Sequence, residues 1–144
     1  LTVDIIGESG ILKAVRVLGP AREHTQVELS ASEAAAIGLR APVRLSGDLT
    51  RSARCILRGP EGEQRCPSSV IIPARHLHLN DATAQQLGLT HGRTISVQTD
   101  LEPTVRVDHA VVRIHPTFAN EFHLSADEAA EHWLHTGHVV RLCD

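Results

Sequence analysis

The sequence predicts a mainly β protein, built as barrels or a sandwich with a few short helices. Three observations predict it. Short β-branched segments recur at close spacing along most of the chain. Gly and Pro stand between them where a chain must turn. Aromatic residues make up only 2% of the sequence, so a core has to be assembled from Leu, Ile, Val and Ala.

The first strands are expected at 2–6 and 13–18, on either side of the turn Gly7-Glu8-Ser9-Gly10. Further strands are expected at 43–45, 55–57, 70–72, 94–98, 104–107, 111–114 and 139–142. Gly19-Pro20, Gly59-Pro60-Glu61-Gly62 and the stretch 100–103 mark connections.

The helices are announced by an internal repeat. Three segments align without gaps, beginning Glu28-Leu29-Ser30, His78-Leu79-Asn80 and His123-Leu124-Ser125. Each carries an Ala at the same offset (Ala34, Ala84, Ala129) and a Leu further on (Leu39, Leu89, Leu134). Gly38 and Gly88 precede that Leu in two copies and Trp133 in the third; the last two copies share a later glycine, Gly92 and Gly137. Ser30, Asn80 and Ser125 are good N-caps, because a short side-chain oxygen can accept from the unpaired N–H groups of a first turn. Glu33 and Glu128 complete two capping boxes. Each copy therefore reads as strand, cap, two-turn helix, turn, strand. Glu28, His78 and His123 are the last strand residues before the helix entries.

Composition excludes some function classes. A net charge of −3 and the dearth of aromatics leave neither the basic field nor the stacking platforms of a nucleic-acid reader. No apolar run approaches the ~20 residues of a membrane-spanning helix, and no secretory signal pattern opens the chain. Cys55, Cys66 and Cys143 form no CxxC pair and read as reduced thiols of a cytosolic protein. The first residue is Leu, so the natural start is expected to lie upstream.

Ten histidines are present, nine of them at or after position 76. Arg75-His76-Leu77-His78-Leu79 places an HxH pair on a strand, and residues i and i+2 of a strand share a face. Both imidazoles can thus reach one ion at about 2.0–2.1 Å. A third ligand has to come from elsewhere, and His123, the repeat equivalent of His78, is the natural one. Three histidines leave a coordination position open, the pattern of a catalytic rather than a structural site. Glu28 stands at the same position of the first copy with Gln26, a poor ligand, two residues before it. If Glu28 binds metal, its partners belong to a fourth copy with its own histidine pair upstream of Leu1.

The other histidines read more plainly. His132, His135 and His138 are expected on the surface or at a cap, and His109 and His115 at the two ends of the 111–114 strand. His24 lies in a loop close to Arg22. That arginine follows a Gly-Pro turn, where its guanidinium could grip a phosphate in bidentate fashion or simply face solvent.

Taken together these residues resemble the PduL-type phosphotransacylases, the phosphate propanoyltransferases associated with bacterial microcompartments. The matching stretches are Val15-Arg16-Val17-Leu18-Gly19-Pro20-Ala21-Arg22, Thr25-Gln26-Val27-Glu28, Ala41-Pro42-Val43-Arg44, Ser46-Gly47-Asp48-Leu49, Arg75-His76-Leu77-His78-Leu79, Val111-Val112-Arg113-Ile114-His115-Pro116, Phe122-His123-Leu124 and Asp127-Glu128-Ala129. The resemblance implies two small β-barrel domains with short capping helices. The first, at 1–74, would be incomplete and would form the phosphate and coenzyme side with Glu28; the second, at 75–144, would carry the histidines. It implies a dinuclear zinc site, with His76, His78 and His123 on one ion. Glu28 would serve the other ion, together with an HxH pair from the N-terminal part of the family pattern that this sequence lacks. It implies reversible transfer of a short acyl group between acyl phosphate and coenzyme A. Arg22 would bind phosphate, and Arg16, Leu18 and His123 would lie against the coenzyme; Ala130 stands where relatives carry Asn near it. The implied setting is a homodimer in the bacterial cytoplasm or a microcompartment lumen. Two other readings stay open: a truncated, non-catalytic metal- or partner-binding domain, and a metal hydrolase using the three histidines on an ester or anhydride.

Overall fold

The computed structural model describes residues 1–143. It is mainly β, with three short helices, and divides into two compact units, Leu1–Pro73 and Ala74 onward. Among the described residues, no helix is long and apolar enough to cross a membrane.

The first unit is a curled, six-stranded sheet. Strands β1 (Thr2–Ile6) and β2 (Ile11–Arg16) form an antiparallel hairpin around the Gly7–Gly10 turn. β5 (Ala53–Gly59) and β6 (Gly62–Pro73) form a second hairpin, closed by Gly59 opposite Gly62. Two short strands, β3 (Val27–Glu28) and β4 (Val43–Arg44), run parallel to the far end of β6. The core is aliphatic: Ile5, Val27, Leu29, Ile37, Leu39 and Val70 are all buried, as composition required.

The second unit is a five-stranded sheet in the order β10-β7-β9-β8-β11. β7 (His76–Leu79) lies between β9 (Arg106–Ile114), to which it is parallel, and the three-residue edge strand β10 (Glu121–His123), to which it is antiparallel. β8 (Thr94–Thr99) and β11 (Val140–Cys143) complete the sheet. Leu77, Leu79, Ala84, Leu89 and Val112 form its core, with Ile95, Ile114 and Phe122 packed against them.

Two expected strands, 104–107 and 111–114, are one continuous strand here. The polar interruption that split them is a bulge: Ile95 pairs with Ala110 and Val97 with Val107, leaving Asp108 and His109 opposite Ser96. His109 takes a left-handed φ of 59°. It therefore sits inside β9 rather than at a strand end, contrary to the sequence expectation, whereas His115 does follow the strand directly.

The repeat is a structural one. Helices α1 (Ala31–Ala36), α2 (Asp81–Leu87) and α3 (Ala126–Glu131) start on Ser30, Asn80 and Ser125, each of whose side chains accepts from the third helical N–H. The capping boxes of Ser30 with Glu33 and Ser125 with Glu128 are both formed. In the middle copy Thr83 occupies the third helical position, and the reciprocal bond comes from outside the helix: Asn120 Oδ1 accepts from the Asn80 N–H at 3.0 Å. All three helices also end alike. Leu39, Leu89 and Leu134 donate their N–H groups to Ala34, Ala84 and Ala129 at 2.8–2.9 Å, the long bond of a Schellman motif, and each Leu is buried. The preceding residue is left-handed in every copy, Gly38 at 74°, Gly88 at 66° and Trp133 at 59°. Trp133 holds a backbone shape that glycine adopts at less cost.

Cys55 and Cys66, far apart in sequence, are cross-strand partners of the β5–β6 hairpin and both are buried. All three cysteines are free thiols. Burial, with the neighbouring Cys66 thiol, pushes Cys55 up to about 12.

At the first turn, Ser9 N–H donates to the Ile37 carbonyl at 3.1 Å, so Gly7 lies hard against the end of α1. A Cβ at Gly7 would run into the carbonyl oxygen and side chain of Ile37, which is 1% exposed. Gly7→Ala should therefore lower folding stability by about 2 kcal/mol. Urea denaturation followed by far-UV circular dichroism checks this; an unchanged midpoint would contradict it.

Candidate metal centre

The histidine site is assembled by strand register. β7 alone puts the His76 and His78 side chains on one face. Antiparallel pairing then sets Glu121 opposite His78, Phe122 opposite Leu77 and His123 opposite His76. Leu77 and Leu79, the alternate residues of β7, turn into the core, which is why the histidines face the other way.

The three rings lie close together. Ring centres are 4.5 Å apart for His76 and His78, 4.8 Å for His76 and His123, and 4.6 Å for His78 and His123. One nitrogen from each falls within 4.8 Å of the others, the only such cluster of three metal-competent side chains among the described residues. A tetrahedral ion with bonds of about 2.0–2.1 Å needs its ligand nitrogens roughly 3.3 Å apart, a small side-chain closure from this arrangement.

Two further observations fit an ion at this place. His76 Nδ1 lies 2.8 Å from the Ala74 carbonyl oxygen, which can only accept. The proton is thereby fixed on Nδ1, the tautomer usual for histidines that bind metal through Nε2. His123 Nε2 is buried and makes no hydrogen bond; Glu121 Oε2 is 3.3 Å away but not aligned for one. A buried polar nitrogen with no partner is costly, and coordination would satisfy it.

The electrostatics agree. Burial, then the proximity of His76, His123 and Arg113, lowers His78 to about 4. Arg113 is its register partner on β9. His78 is thus a neutral imidazole at neutral pH, the form that binds metal.

Phe118 completes this side of the site. Its ring stacks on His78, with centres 4.0 Å apart and 18° between planes. The turn at 115–118 brings it there: the Phe118 N–H donates to the His115 carbonyl, and Thr117 N–H to His115 Nδ1. Sequence reasoning missed Phe118, because nothing in its spacing ties it to the HxH strand.

Among the other expected site residues, Glu28 is exposed at the end of β3 in the first unit. Gln26, at the repeat position of His76, donates to Glu28 Oε1 at 2.7 Å and to Ser46 Oγ at 2.9 Å, while its own oxygen accepts from Gly47 N–H. This residue, dismissed as a poor ligand, is the one that orients the carboxylate. Arg16, at the end of β2, and Leu18 and Arg22, in the following loop, are all exposed. His132 caps the end of α3, and His135 and His138 are exposed, as expected.

The sequence model of the phosphate propanoyltransferase family matches residues 1–135. A phosphate propanoyltransferase of Shewanella putrefaciens is 42% identical over 142 residues, covering 96% of this chain and 66% of the relative. That of Thermotoga maritima is 37% identical over 144 residues, covering 99% and 69%, and that of Levilactobacillus brevis 42% identical over 129 residues, covering 89% and 62%. The chain thus spans about two thirds of the length of the relatives it matches.

In the metal-free protein the His78 ring should titrate near pH 4, measured from its ring-proton NMR shifts. The unfolded chain takes up that proton near 6.5 and the native one does not, so stability should fall as pH drops from about 6.5 towards 4. A His78 midpoint at or above 6.5 would contradict the crowding of these three rings.

Proposed function

Because the chain belongs to the phosphate propanoyltransferase family, we propose that it carries part of a zinc-dependent acyltransferase site, moving a short acyl group between acyl phosphate and coenzyme A. One observation carries the proposal: one nitrogen from each of three imidazoles lies within 4.8 Å of the others, and a three-histidine set would leave one position of a tetrahedral zinc ion for a substrate.

The reaction balances without a covalent protein intermediate. The coenzyme thiol loses its proton and attacks the acyl carbonyl. The carbon–oxygen bond to phosphate then breaks, giving a thioester and inorganic phosphate, and the thiol's proton ends on the released phosphate. Zinc, when bound, would supply a Lewis acid that lowers a thiol's pKa and polarises a carbonyl. The chain's residues do the rest. His76, His78 and His123 would hold the ion, with the His76 tautomer already set by Ala74. Arg22 would grip the phosphate and steady its charge as it leaves. Arg16 and Leu18 would lie against the coenzyme, and His123 would serve both metal and coenzyme. Glu28, steered by Gln26, would contribute to a second ion. No cysteine is needed as nucleophile, and Cys55, pushed up to about 12, is unsuited to the role. By the same family resemblance, the proposed setting is a homodimer in the bacterial cytoplasm or in a microcompartment lumen.

The test combines metal and activity. His76→Ala and His123→Ala should each lower bound zinc per chain, weakening affinity by more than the roughly 10–100-fold typical of outer-shell changes. His135→Ala should leave it unchanged. With acetyl or propanoyl phosphate and coenzyme A, the zinc-loaded full-length protein should form thioester, followed by absorbance, and the two ligand variants should not. Phosphate release without coenzyme would instead favour a hydrolase; full zinc retention in the His123 variant would sink the ligand assignment.

A further inference from the structure

The third histidine rides on the weakest element of the site. β10 is three residues long and lies at the edge of its sheet, and α3, which follows it, buries none of its own residues. Such a corner is expected to open readily unless something pins it.

The pin is Glu128, whose two carboxylate oxygens serve different masters. Oε2 accepts from the Ser125 N–H at 3.0 Å and from Ser125 Oγ at 3.2 Å, closing the cap of α3 two residues after His123. Oε1 lies 3.0 Å from Nε of Arg75, the residue immediately before His76. Arg75 in turn donates from its terminal nitrogen to the Asp108 carbonyl at 3.0 Å, and its own carbonyl accepts from Val111 N–H. One continuous chain of bonds therefore runs from the β9 backbone through the start of β7 to the cap behind His123. This pair is also more enclosed than the protein's ordinary surface pairs. The Arg75 and Glu128 side chains are 35% and 25% exposed, against 75% and 60% for Arg54 and Glu8. Less solvent means less screening, and a hydrogen-bonded acceptor costs less entropy to hold.

Resting on the zinc reading above, we infer that Arg75 and Glu128 are positioning residues: their ion pair holds His123 against β7 and thereby sets the zinc affinity of the three-histidine site. A site competent only part of the time binds more weakly by that fraction, and the pair keeps the competent arrangement populated before the ion arrives. Neither side chain belongs to the three-histidine cluster itself.

The test measures zinc affinity of the full chain by competition with a chromophoric chelator, for Arg75→Met, Glu128→Gln and the double variant. Glu128→Gln keeps the helix cap, because glutamine at this position also completes a capping box, and removes only the charge facing Arg75. Each single variant should bind zinc about tenfold more weakly, in the range typical of outer-shell partners, and the double variant no more weakly than the singles. Arg75→Lys, with charge but no planar fork, should fall between wild type and Arg75→Met. Glu63→Gln, which breaks the exposed Arg58–Glu63 pair of the first unit, should change nothing. The thermal midpoint of the zinc-free Glu128→Gln protein should stay near that of wild type. Wild-type affinity in both single variants would overturn the inference. So would an affinity loss found only together with a collapsed zinc-free midpoint. If the wild-type chain itself takes up no zinc, the metal reading and the clasp fall together, a result distinct from zinc-binding variants that behave like wild type.

Discussion

Antiparallel pairing of Glu121–His123 with His76–His78 puts His123 opposite His76, and a slip of one residue would carry its ring to the far side of the sheet. Sequence fixes that register twice. On β7, Leu77 and Leu79 must face the core, and opposite Leu77 stands Phe122, which packs against the same cluster. Two apolar residues seeking one core therefore align two histidines that make no contribution to it. The position of the candidate metal centre follows from hydrophobic burial, and the imidazoles inherit it.

The same economy runs through the repeat. A capped two-turn helix is too short to be stable on its own, and its ends matter more than its middle. Here both ends are secured in every copy, by an N-cap in front and a Schellman turn behind. The copies differ where chemistry enters. The residue two before the cap is Glu28, His78 or His123, and the groups that steady these corners differ as well: Gln26 in the first, Asn120 in the second, Arg75 in the third. A uniform frame carries non-uniform fittings.

That division explains what was legible in the sequence. Caps, capping boxes and the shared Ala and Leu positions are local rules, readable from spacing, and they led from the HxH strand to His123. The β-branched segments marked every long strand, although β5 and β6 extend beyond them because Gly59 and Gly62 continue the ladder to the turn. The misses are long-range. Phe118 reaches His78 only because a turn after β9 folds back, and Cys55 meets Cys66 only through the register of a hairpin. Asp108-His109 read as a break between strands because a bulge interrupts alternation without ending the strand.

Trp133, the sole tryptophan, ends α3 in a left-handed conformation and is 84% exposed in the native protein. An indole already in water has little further to go when the chain unfolds. Its fluorescence should therefore be nearly silent to global denaturation. It stands instead as a local reporter on the helix behind His123, where quenching by an added ion or a bound ligand would be read against a quiet background.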